Sequence, residues 1–146
     1  MNAFIPIVAA LLAGVGVAVQ TPTNAALGRT VGSVTLAALV SFSVGTVILL
    51  AAWLLADRTP LSQLRGARAW MLLGGAYGAY FVAAVAFAVP RLGLASMLTI
   101  VIASQLIAAL VIDHFGLLGL PRAPIGIGKV IGVLLVLGGV VLVRRP

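Results

Sequence analysis

Cysteine is absent from the 146 residues, which excludes disulfides, thiol nucleophiles and Cys-based metal sites and leaves the redox compartment open. Acids are nearly absent too: Asp57 and Asp113 are the only two, and both fall at the ends of apolar runs. No nucleophile–base pair and no acidic metal cluster can be assembled, so the composition points away from an enzyme and from any metal or cofactor. His114 is a single imidazole without a second ligand at metal spacing. Charged residues make up 8% of the chain, and residues 57–68 are its one properly polar connection. The net charge of +7 comes from nine Lys and Arg residues scattered singly or in pairs between apolar runs. Without a basic face to lie along phosphates, nucleic acid is not a partner. These cations read instead as flanking charges that anchor helices at a membrane surface.

What is present is apolar. Hydrophobic residues reach 63% and the mean hydropathy is +1.29, far above a soluble domain's roughly 45–50% apolar share, so the chain is an integral membrane protein. Five runs follow one another at residues 3–27, 35–56, 69–89, 94–112 and 125–143. A span needs about 20 residues to cross a hydrocarbon layer of about 30 Å, so the fold expected is an all-α helix bundle in one domain, 1–146. Nothing basic precedes the first run, and a cleaved signal peptide is not expected. Pro6 sits in a first turn, and Pro22 is read as a kink rather than a stop. Thr59 before Pro60 reads as an N-cap in the polar loop, Trp70 opens the third run at interfacial depth, and Pro90 is expected to end it. Arg91, Leu92 and Gly93 leave room only for a helical hairpin.

The scarce polar side chains define the candidate site. Gly16, Gln20 and Asn24 lie four apart on one helix face, so a stripe of little bulk leads into two amides. An unsatisfied amide is costly in lipid, and both should point into a bundle or a wet cavity. In the fourth run Gln105, beside Ser104, falls near mid-depth, about 16 Å from the start of its helix, and counting helices puts Gln20 in the same layer. Ser41 in the second run and Tyr77 and Tyr80 in the third are further candidate contacts to a substrate, with helix packing as their alternative use. Gly16, Gly74, Gly78, Gly128 and Gly132 form small-residue faces for close helix packing, the last two as a GxxxG pair. Asp113 at a helix C-terminus opposes the helix dipole, and Arg122 or Lys129 is its expected partner.

Five spans place the two termini on opposite faces. Arg58, Arg65, Arg68, Arg122 and Lys129 then fall on one side and Arg29, Arg91, Arg144 and Arg145 on the other. That near balance gives little to fix orientation, so insertion in both senses is expected.

Val19-Gln20, Asn24-Ala25-Ala26-Leu27, Ala103-Ser104-Gln105-Leu106-Ile107, Asp113 and the Gly132-to-Gly139 helix ending in Arg144-Arg145 together resemble the YdcZ-type branch of the drug/metabolite transporter (DMT) superfamily. The resemblance spans nearly the whole chain. It implies an inner-membrane, five-helix half-unit that pairs with an inverted copy, or a homologous partner chain, to make a ten-helix carrier. It differs from the small multidrug-resistance branch, whose members carry an essential Glu in the first helix. The residues lead to the same architecture, because carriers commonly place their site between inverted repeats at the bilayer midplane and this chain contains no internal repeat. A lining of amides, hydroxyls and phenols suits a small polar or neutral metabolite moved by alternating access. A non-transporting accessory membrane subunit would use the same glycine faces, with Gln20 and Gln105 as interhelical glue.

Overall fold

A computed structural model describes residues 3–144. Met1, Asn2, Arg145 and Pro146 lie outside the described residues, and with them one of the two terminal anchoring charges. All regular structure among the described residues is helical: α1 Phe4–Val31, α2 Val34–Ala52, α3 Gly74–Leu92, α4 Leu94–Phe115 and α5 Ile127–Arg144. Four stretches, Phe4–Val31, Val34–Asp57, Ala69–Leu92 and Leu94–Phe115, are long and apolar enough to cross a membrane, and a fifth, Ile127–Val143, is apolar but shorter.

The helix ends follow local chemistry. α1 runs through Pro22 and stops only at Gly32, whose φ of 69° is left-handed and costs glycine little. Ser33 then caps α2, its Oγ accepting the amide of Leu36 at 3.1 Å. Beyond α2 a π-helical turn, Trp53–Asp57, closes on Arg58, and the Trp53 indole donates to the Thr59 carbonyl at 3.0 Å. Thr59 does not cap the following 3-10 turn, Leu61–Gly66. Its hydroxyl bonds the Asp57 carboxylate, and the extended Pro60 takes the cap position. A 3-10 turn, Ala69–Leu73, leads into α3, which passes Pro90 and ends at Leu92. Pro90 lacks an amide donor but its ring leaves the last turn's φ intact, so the helix outlasts it.

The chain forms two compact units, Met1–Arg91 and Leu92–Pro146. In the first, α1 packs on α2, and the buried set is made of small or short side chains: Thr21, Asn24 and Ala25 from α1, Ala37 and Ala38 from α2, Val82, Val85 and Ala86 from α3. Small residues let helix backbones approach closely. In the second, α4 packs on α5 around an apolar cleft of about 190 Å³ that includes Ile107, Val111, Val130 and Leu134. Burial within the chain is slight, between 6% and 17% of each candidate span. Most side chains therefore face whatever surrounds the chain, which for an apolar helix is lipid or another protein.

Candidate functional site

The clearest site feature is on α1. Thr21 and Asn24 are 2% and 5% exposed, the two buried polar residues of the described chain, and they share a face with Ala25 and Gly28. The Thr21 hydroxyl donates to the Val17 carbonyl at 2.7 Å, and that of Thr23 to Val19 at 2.9 Å. Between them the Ala18 carbonyl loses its usual helical donor, because residue 22 is proline. Three successive carbonyls thus depart from the plain helical pattern, two accepting hydroxyls and one left without its amide, which weakens the helix locally. One turn on, the Asn24 amide nitrogen is buried without a hydrogen-bond partner.

Gln20 stands beside this buried face rather than in it: it lies about 40° around the helix from Asn24 but about 100° from Thr21, and it is exposed. Gln105 and Ser104 are exposed on α4, and the Ser104 hydroxyl bonds the Val101 carbonyl at 2.8 Å. Ser41 is half-buried on α2. Tyr77 and Tyr80 are 67% and 77% exposed. Of the packing glycines only Gly78 has a close neighbour, since a Cβ there would meet the Phe42 ring at 3.3 Å, whereas Gly16, Gly74, Gly128 and Gly132 face open space within the chain. Asp113 also differs from expectation. Arg122 Nε donates to the His114 carbonyl at 3.0 Å and Lys129 Nζ to the Ala123 carbonyl at 3.3 Å, so both expected partners are turned to backbone. His114 Nδ1 accepts the Ile125 amide at 3.2 Å, which ties the 116–125 loop down and delays α5 to Ile127.

Residues 5–142 match the family described as "Putative inner membrane exporter, YdcZ". The chain belongs to this family. It is also 29% identical over 147 residues to the "Inner membrane protein YdcZ" of Escherichia coli (strain K12), covering 99% of this chain and 98% of that one. No solved structure matches it at a significant level. With its apolar spans, this YdcZ-family chain is a multi-pass inner-membrane protein and a membrane transporter of the DMT kind.

Two features of this YdcZ-family member escaped sequence reading. Thr21 was hidden because an isolated Thr in an apolar helix satisfies itself on its own backbone, yet Thr21, Ala25 and Gly28 at spacings of four and three were the available signal. Arg29 and Arg91 looked like separate flanking charges. They line one open cleft of about 370 Å³ in the first unit, with Ala25, Val34, Ala86 and Phe87 among its walls. No periodicity links residues so far apart in the chain.

Proposed function

We propose that the protein moves a small polar or neutral solute by alternating access, with a second copy in the inverted orientation supplying the other half of the path. The observation that carries this reading is the buried, unpartnered amide of Asn24, two residues beyond the proline inside α1. Leaving such a donor unsatisfied costs about 1–3 kcal/mol, a cost offset when a solute or a partner helix brings an acceptor. The exposed amides Gln20 and Gln105, with Ser104, Ser41, Tyr77 and Tyr80, supply uncharged groups for the same path, and an uncharged lining favours solutes without a strong net charge. The open faces at Gly16, Gly74, Gly128 and Gly132 suit close approach of a second chain.

Those open faces also favour a second reading, an accessory subunit that packs against another membrane protein. Dimer content and uptake of a panel of neutral and zwitterionic solutes, measured on the same proteoliposomes, separate the two. In the transporter, Gln20→Leu and Gln105→Leu abolish uptake and leave the dimer intact, because one interhelical hydrogen bond in lipid contributes only about 0.6–2 kcal/mol. In the accessory subunit, no solute is taken up by the unmodified protein.

A further inference from the structure

The cleft that holds Arg29 and Arg91 is lined by the C-terminal turns of α1 and α3, and α2 begins at its edge with Val34. Both arginines are exposed. Arg91 is pre-positioned: its Nη1 donates to the Phe87 carbonyl at 2.6 Å and its guanidinium carbon stands 3.6 Å from the centre of the Phe87 ring. That combined hydrogen bond and cation–π contact holds the side chain over an apolar wall and leaves its other N–H donors free to point outward. Two full positive charges meet about half an elementary negative charge from each helix end, so roughly one net positive charge remains. No carboxylate is at hand in this unit, because Asp57 stands at the far end of α2, about 35 Å along the helix from Val34.

We propose that this cleft is a site for the head group of an anionic phospholipid, with the phosphate between Arg29 and Arg91 and an acyl chain along the apolar walls. Charge complementarity and amphipathic lining both point to this occupant: guanidinium groups match phosphate oxygens in two-toothed geometry, while Ala25, Val34, Ala86 and Phe87 match hydrocarbon. The volume of about 370 Å³ falls within the range of small-ligand sites, about 300–1,000 Å³. The site is separate from the transport reading and stands or falls without it.

The test uses the full chain extracted from bilayers containing phosphatidylglycerol and phosphatidylcholine, with the ratio of the two lipids retained per protein measured by mass spectrometry. The unmodified chain retains phosphatidylglycerol preferentially. Arg29→Gln and Arg91→Gln each lower that preference about five-fold, and the double substitution about 25-fold, as expected for about 1 kcal/mol per surface cation. Arg65→Gln, in the polar loop at the other end of α2, leaves it unchanged. Arg29 is exposed, so Arg29→Gln tests the site even if loss of the Arg91–Phe87 contact disturbs folding. An unchanged preference in Arg29→Gln overturns the proposal. An equal loss in Arg65→Gln overturns it as well, since a diffuse surface potential then accounts for the retention. Displacement of the lipid by excess inorganic phosphate would make the occupant a soluble phosphate and also overturn the lipid assignment.

Discussion

Asn24 has as many side-chain heavy atoms as leucine but carries a donor that nothing among the described residues accepts. If its role were structural, replacing it would cost stability. Because its amide nitrogen is unpartnered, Asn24→Leu is expected to leave thermal stability in detergent unchanged or to raise it by about 1–3 kcal/mol, while solute uptake is lost. A clear drop in melting temperature would show that the amide is already satisfied by the fold. Gly116 makes the opposite case. Its φ is 63° and a Cβ there would stand 3.3 Å from both the Arg122 side chain and the Leu120 carbonyl. Gly116→Ala should therefore lower stability by about 1–2 kcal/mol from the left-handed backbone alone, with the crowding adding to it, and a melting curve reads the change. The amides were legible in the sequence because polar groups stand out in apolar runs. Which of them is buried was not, because Gln20 lies only about 40° around the helix from Asn24.

At the scale of the element, α1 is a single helix with a weakened middle. Pro22 removes the amide that would bond Ala18, and the Thr21 and Thr23 hydroxyls take the carbonyls on either side. Pro22→Ala restores a helical hydrogen bond and should stabilise the folded chain by up to about 3 kcal/mol, slow amide exchange around residue 22, and reduce the rate of uptake if this weakened turn flexes during transport. Uptake at the unmodified rate in a stiffened α1 would show that flexing at Pro22 is not part of transport. The helix count was readable from the lengths of the apolar runs, but several boundaries were not. The Thr59 hydroxyl turned to Asp57, and the Ile125 amide was taken by His114 Nδ1, so short-range hydrogen bonds to side chains decided where those helices begin.

For the whole molecule the governing quantity is the distribution of cations. If all five apolar helices cross the membrane, five cations lie on one face and four on the other. The expected outcome is that reporters fused to the C-terminus are active on both sides of the membrane, and that two added lysines in the 57–68 loop shift the population strongly to one side. One fixed orientation in the unmodified chain would remove the inverted homodimer and leave a homologous partner as the source of the second half. The slight burial of the spans, 6–17%, is the whole-molecule counterpart of the open glycine faces: this chain covers little of its own surface.

Membrane class, helical architecture and family were decided by the sequence alone, because 63% hydrophobic content in runs of about 20 residues has no stable form in water and no unbonded backbone is tolerated in lipid. The tertiary structure alone decided which polar groups are buried and which charges share a cleft. Burial depends on the angle at which each helix meets its neighbour, and a turn of about 100° moves a side chain from core to surface. That Arg29 and Arg91 line one cleft, with Ala25 and Ala86 among its walls, likewise depends on how α1 and α3 are placed in the fold, and no local pattern links residues some sixty positions apart in the chain.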